Sequence, residues 1–399
     1  MQPFVPAQPS PANRRIDALD AIRGVALGGI LLVNMGLFAF PALYLNATDV
    51  WTSAPDKIVE GMVGFFAEGK FVSMFSFLFG LGFILFLQSA EKKGLPPVRL
   101  FLRRLLVLLG IGWIHAYLIW FGDVLCFYSV LGILLLFFRK MSPPALLKWA
   151  LGLLLVPVTL FIALGVMMGP DFYTDAASYK DLGYKAIEVY RSGTLRQLWS
   201  QNAADLNAAR MGYLFETPMM LAMFLLGAYA GKRGFFRQPE AYAPLIRKIQ
   251  LWSAVIGWPL VIGVLWAGHA HLGSALDDYI MMIDTYIASP AVSIFYIATL
   301  TRLLQRNSWQ QWMRPFQAAG RMAATNYLLQ SVTCVWIYYS FGGGLYGYAS
   351  PTMYILIWLM VLGIQLTVST WWMSHFRFGP VEWIWRKLTY GKAYAVKVQ

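Results

Sequence analysis

Residues 14–40 read RRIDALDAIRGVALGGILLVNMGLFAF, and this stretch decides the class of fold. From Leu19 to Phe40 it is apolar except for Asp20, Arg23 and Asn34. At a rise of about 1.5 Å per residue, a helix of that length crosses a hydrocarbon core of about 30 Å. The basic pair Arg14 and Arg15 ahead of it resembles the start of a secretory signal. Asp17, Asp20 and Arg23 interrupt that pattern, however, and no small-residue cleavage site follows. A retained first transmembrane helix is therefore expected.

Working outward, similar runs recur at 69–89, 101–119, 122–138, 146–168, 211–230, 250–268, 280–303, 321–341 and 352–374. The 399 residues are 58% hydrophobic and 13% charged, with 16 Trp, 21 Tyr and 27 Phe. That is more apolar surface than one water-soluble core can hide, so lipid must solvate the excess. The expected fold is all-α, a polytopic bundle of about ten transmembrane helices. Residues 1–13 form a Pro-rich tail, 14–392 a single transmembrane domain, and 393–399 a C-terminal tail.

Orientation follows from the connections between the runs. Lys92, Lys93, Arg99, Arg103 and Arg104 lie in one of them. Arg139, Lys140 and Lys148 lie two connections later, then Lys232, Arg233, Arg237, Arg247 and Lys248, then Arg302, Arg306, Arg314 and Arg321. The intervening connections are acidic or balanced, so the positive-inside rule places both termini in the cytoplasm. The net charge of +13 is spread among these connections rather than gathered in a basic domain, which argues against nucleic acid as a partner. Pro41–Gly61 and the longer stretch 170–210 are the irregular outward segments, the latter a candidate interfacial cap. No internal repeat is evident, which weakens a transporter built of duplicated halves. Cys126 and Cys334 both lie in apolar runs and read as small core residues, not a disulfide or metal framework.

Polar groups at membrane depth are costly and are functional candidates by default. Arg23 and Asn34 are eleven residues apart on the first run, on one helix face and separated by roughly 16 Å along it. With Asp20 one turn away, Arg23 reads as a phosphate or carboxylate site at the cytoplasmic mouth, or as a snorkelling arginine neutralised by Asp17 and Asp20. Arg104 and His115 repeat the same spacing on the third run, and Asp123 follows beyond a Gly turn. A hairpin there brings His115 and Asp123 together, and a carboxylate beside a histidine fixes its tautomer for work as a base or nucleophile. The alternative is an imidazole that merely bonds a neighbouring helix.

Glu68 and Lys70 open the second run from outside. At i, i+2 they do not share a helix face, so each is expected to meet a different partner. Ser73 and Ser76 follow, and Gly80 and Gly82 read as helix-packing positions. Glu216 and Pro218 lie just inside the sixth run. Thr285, Ser289 and Ser293 form a hydroxyl stripe suited to helix-to-helix hydrogen bonds, and Asn326, Gln330 and Thr333 form another with a better claim on a ligand. His269 and His271, near Asp277 and Asp278, match no closed ligand set, and no metal is expected.

Five motifs, RIDALDAIRGVALGGILLVNM, GKFVSMFSFLFGLGF, GWIHAYLIWFGDVL, GRMAATNYLLQS and FGPVEWIWRKLTYGK, together resemble the YeiB-like family of bacterial membrane proteins. That family is similar in turn to the transmembrane acyltransferases, which include sugar O-acyltransferases and the lysosomal heparan glucosaminide N-acetyltransferase. The resemblance implies a bacterial cytoplasmic (inner) membrane protein that moves an acyl group from cytoplasmic acyl-CoA to an acceptor on the far side, with acyl-CoA as co-substrate. Asn34 stands where the O-acyltransferases have a histidine, and Met35–Trp51 contains none, so His115 with Asp123 is expected to take over.

The expected assignment places Arg23, Arg103, Arg104 and Asp20 at the acyl donor, and His115 and Asp123 at the chemistry. Asn34, Glu68, Lys70, Glu216 and Asn326 are then expected on the acceptor side. Membrane lipid and an extracytoplasmic acceptor are the expected partners, and the Gly-rich faces are compatible with a homodimer. The competing expectation is a transporter or exporter of a small polar or anionic solute that uses the same cavity.

Overall fold

The computed structural model describes residues 11–168, 180–270 and 274–391. Helix α1 (Pro11–Ala39) is followed by the short α2 (Ala47–Val50), α3 (Ala54–Phe66), α4 (Lys70–Lys92), α5 (Pro97–Ile114), α6 (Leu125–Leu135) and α7 (Pro143–Met168). After them come α8 (Lys180–Ser192), α9 (Leu195–Arg233), α10 (Ala243–Ala270), α11 (Ser274–Ile283) and α12 (Ser289–Leu303). The short α13 (Asn307–Trp312) and α14 (Arg314–Arg321) lead into α15 (Ala323–Tyr338), α16 (Pro351–His375) and α17 (Pro380–Tyr390).

Among the described residues, eight helical stretches are long and apolar enough to cross a membrane, and the chain is an all-α polytopic bundle. Two of the expected runs fall short of that length, Leu125–Phe138 and the 16-residue α15. Three further boundaries differ from the sequence expectation. The stretch 195–210, expected as loop, is the first part of a 39-residue helix that continues unbroken to Arg233. A capping box starts it: the Thr194 hydroxyl accepts from the Gln197 amide, and Gln197 Oε1 accepts from the Thr194 amide at 2.8 Å. Much of Pro41–Gly61 is likewise helical, because Ser53 caps the amide of Asp56 at 3.3 Å and Pro55 suits the first turn. The run 321–341 is broken at Met322, where α14 ends and α15 begins.

Glycines set two close crossings. A Cβ on Gly80 of α4 would overlap the carbonyl of Phe224 on α9, and one on Gly227 of α9 would overlap the carbonyl of Phe77 on α4. The same reciprocity joins α1 to α14, where Gly24 faces the Phe316 carbonyl and Gly320 faces that of Asp20. Such small residues let backbones meet where the hydrophobic effect cannot drive helices together. Around these crossings lies a core of Met, Phe and Leu from α1, α4, α5, α6 and α9. On the outside of the bundle, Val156, Val255 and Leu359 are each more than half exposed. A lipid environment solvates such faces.

Candidate functional site

The C-terminal end of α5 carries an unusual backbone. Residues His115–Ile119 wind one π-turn before the chain reverses, a feature that recurs at functional sites. The wider turn frees carbonyls, and Asn202 of α9 answers them: its Nδ2 donates to Ala116 O at 2.8 Å and to Tyr117 O at 3.4 Å. After the reversal, Asp123 Oδ1 accepts the Cys126 amide at 2.8 Å in the first turn of α6. Asp123 Oδ2 then lies 2.9 Å from His115 Nδ1. Tyr327 of α15 closes the turn from the far side, its hydroxyl donating to Gly122 O at 3.0 Å and its ring 5.2 Å from the imidazole.

Histidine and aspartate are both fully buried, with side chains 0% and 1% exposed. A carboxylate oxygen only accepts, so it assigns the proton to Nδ1 and leaves the lone pair on Nε2. That Nε2 is buried and has no hydrogen-bond partner among the described residues. Trp120 Nε1, Asn202 Oδ1 and the Tyr338 and Tyr339 hydroxyls share that condition at the same end of the bundle. Buried polar atoms are paired in the great majority of cases, so such a concentration makes this region a candidate site.

A second polar group gathers where α3 meets α4. Gly69 adopts a left-handed φ of 72° between the two helices, and Ser289 packs against its Cα where a side chain would stand. Lys70 is buried, donates to Gly64 O at 2.7 Å, and lies 3.8 Å from Asp284 Oδ1. Asp284 itself opens the other π-turn, Asp284–Ala288, and its Oδ2 accepts from Ser289 at 3.1 Å. The Glu68 and Glu216 carboxylates have no hydrogen-bond partner among the described residues, and the field of one reaches the other. Lys70 thus bonds to Gly64 O while the Glu68 carboxylate makes no hydrogen bond among the described residues, and the two share one electrostatic neighbourhood.

At the opposite end of α5 the charges are cationic. Arg104 stacks on the Trp385 ring at 4.1 Å and faces Phe86 at 5.3 Å, and Trp385 Nε1 donates to Arg104 O at 2.8 Å. Arg23 and Arg386 both lie within electrostatic reach of Arg104. Arg103 points towards Gly391 at the end of α17. Arg23 is held by Asp20 at 2.7 Å, and Arg321 approaches the same carboxylate at 3.6 Å. Glu382 of α17 accepts the Ala324 amide at 2.7 Å, which fastens α17 to the start of α15.

The remaining candidates are scattered. Asn34 is half-buried and unpartnered among the described residues. Asn326 is buried and fully engaged between helices, its Nδ2 donating to Ala319 O at 3.1 Å and to Ser369 Oγ at 2.9 Å. Gln330 likewise donates to Gln365 at 2.7 Å. Of the hydroxyl stripe, Ser289 bonds between elements, while Ser293 is buried and unpartnered among the described residues. The side chain of His269 and the whole of His271 lie outside the described residues. Among the described residues no group of three His, Cys, Asp or Glu side chains is placed to hold a metal.

Sequence reasoning passed over four residues that the structure brings into these groups: Asp284, Asn202, Asp205 and Arg386. A carboxylate in the run 280–303 was a signal for Asp284, but Asn202 and Asp205 sat in a stretch read as loop. Asp205 ties α8 and the chain after α1 to α9. It accepts from Tyr44 at 2.8 Å, Tyr190 at 2.6 Å and Gln201 at 2.8 Å. Burial, then the neighbouring Tyr339 and Asp205, push the Tyr190 phenol well above its ordinary value.

Comparison with known proteins places this geometry in a family. Residues 230–392 match the family described as "Protein of unknown function (DUF418)". The chain is 37% identical over 401 residues to the uncharacterized protein YxaH of Bacillus subtilis (strain 168), covering 96% of each chain. It is 29% identical over 392 residues to an uncharacterized 39.9 kDa protein from the amylase 3' region of Bacillus acidopullulyticus, covering 97% of each. It is 26% identical over 386 residues to the uncharacterized protein YeiB of Escherichia coli (strain K12), covering 93% of this chain and 95% of that one. The chain therefore belongs to the YeiB-like, DUF418 family of multi-pass membrane proteins.

Proposed function

We propose that the protein is a membrane acyltransferase of the bacterial inner membrane, taking an acyl group from cytoplasmic acyl-CoA to an acceptor at the outer face. The observation that carries this reading is the buried His115–Asp123 pair with its unpartnered Nε2, on the same helix as Arg104. Eleven residues of helix separate the two by roughly 16 Å, a distance that a pantetheine arm spans. In this reading the ten apolar runs cross the membrane with both termini in the cytoplasm, which puts Arg23, Arg103, Arg104 and Arg386 at the cytoplasmic end. Their guanidinium groups suit the phosphates of CoA.

The chemistry balances without a metal. Nε2 of His115 takes the proton of the acceptor hydroxyl or amine while that atom attacks the thioester carbonyl. The C–S bond then breaks, and the imidazolium returns the proton to the departing CoA sulfur. Asp123 holds Nδ1–H throughout and stabilises the transient imidazolium. Glu68 and Asn34, unpartnered on the outer side, line the acceptor's approach.

The test is thermal stability of the detergent-purified protein with acetyl-CoA and longer acyl-CoAs, with free CoA and ATP as controls, followed by transfer of labelled acyl groups. Stabilisation that depends on the acyl-CoA and is weakened by Arg23→Ala supports the reading. Folded protein that no acyl-CoA stabilises rejects it.

A second reading, a transporter of a small polar or anionic solute, is favoured by one observation: the partnerless Glu68 and Glu216 beside the Lys70–Asp284 pair. Ionisable groups of this kind mark solute and proton paths in membranes. Solute flux in proteoliposomes without any acyl donor would select it.

A further inference from the structure

Away from both polar centres, a groove of about 760 Å³ opens between the start of α10 and the end of α12. Arg247, Lys248, Arg302 and Arg306 line it, and no acidic residue does. None of the four is in an ion pair among the described residues. The Arg302 guanidinium is steadied by Gln250, which in turn donates to Thr299 at 2.7 Å. Leu251 and Leu303 complete the wall on the apolar side. From Leu251, itself 61% exposed, the surface of α10 continues exposed and apolar, with Trp252 at 63% and Val255 at 53%.

We infer that this groove holds the headgroup of an anionic phospholipid of the cytoplasmic leaflet, with cardiolipin, which carries two phosphates, as the best match. The four cations set the charge of the ligand, since leaving them together without a counter-charge is unfavourable. Its source follows from the apolar wall and the exposed face of α10, which continue from the groove along the bilayer where acyl chains lie. Trp252 on that face supplies the interfacial ring typical of headgroup level. Basic pockets between transmembrane helices on the cytoplasmic side are suited to such headgroups. The groove shares no residue with the Arg23 and Arg104 cluster, so the inference stands apart from the acyl-donor chemistry and rests on the proposed reading only for the orientation of the bundle.

The test titrates the purified full-length protein, in a neutral detergent, with cardiolipin, phosphatidylcholine or inorganic pyrophosphate, and follows the apparent melting temperature. Cardiolipin is expected to stabilise it and phosphatidylcholine not to. In R302Q/R306Q the half-saturating cardiolipin concentration is expected to rise about thirtyfold, from the loss of two basic groups at an anionic surface. Should that variant misfold, R306Q alone is expected to show a rise of about fivefold. Unchanged half-saturation in a folded variant, or no response of the native protein to cardiolipin, overturns the inference. An equal response to pyrophosphate also overturns it, because the site would then be one for soluble anions.

Discussion

The ammonium of Lys70, at the start of α4, lies 3.8 Å from the carboxylate of Asp284, at the start of the π-turn before α12. Two irregular helix starts are thereby held against each other. Lys70→Met leaves Asp284 without its cation and is expected to destabilise the protein by about 3–5 kcal/mol, whereas K70M/D284N recovers most of that loss. Chemical unfolding in detergent measures both, and additive losses would show that the pair is not coupled.

His115→Gln is expected to lower acyl transfer by about 10²–10⁴-fold in protein that remains folded. Asp123→Asn keeps a hydrogen bond to the imidazole while removing its charge, and is expected to reduce turnover less than loss of the histidine. Full activity in folded His115→Gln protein would remove His115 from the mechanism.

Changes at the arginine-rich end of α5 should act differently. Arg104→Gln is expected to raise KM for the acyl donor about tenfold or more, with turnover preserved, because a charge-assisted hydrogen bond contributes about 1.5–3 kcal/mol. A fall in turnover at unchanged KM would contradict the proposed division of labour along α5.

Glycine substitutions report on the crossings. Gly227→Val would drive its side chain into the α4 backbone, at an expected cost of about 1–3 kcal/mol or more. Gly82, two residues from the equivalent contact on α4, has nothing within 4 Å of where its Cβ would stand. Gly82→Ala is therefore expected to be neutral or slightly stabilising. Thermal melts of the two variants side by side check the difference.

The cap formed by α8 should respond to alkaline pH. A phenol whose folded value is raised contributes stability that is fully present below the unfolded value of about 10. That contribution is lost as pH climbs from there towards the higher folded value. Burial raises Tyr190 in this way, so cap stability is expected to fall above pH of about 10. Tyr190→Phe should flatten that fall while lowering stability at neutral pH by about 1 kcal/mol, the worth of its bond to Asp205. Hydrogen exchange over 180–192, measured across the pH range, is the readout.

Membrane residence and the all-α bundle were legible in the sequence, since runs of apolar residues long enough to span lipid leave the backbone no other way to satisfy its hydrogen bonds. The approach of His115 to Asp123 was legible too, as both lie at the ends of runs joined by a short turn. Family membership followed from motifs spread along the whole chain.

Tertiary structure alone decided the rest, because hydrophobicity reports that a segment is buried and not which neighbour buries it. Asn326 and Glu68 look alike as polar residues near apolar runs, yet helix α16 consumes the amide of the first and the carboxylate of the second has no hydrogen bond among the described residues. The π-turns at His115 and Asp284, the extension of α9 to Leu195, and the partnership of Lys70 with Asp284 all depend on contacts between distant segments. Local sequence carries no term for such contacts, and it is they that fix which polar atoms remain free to act.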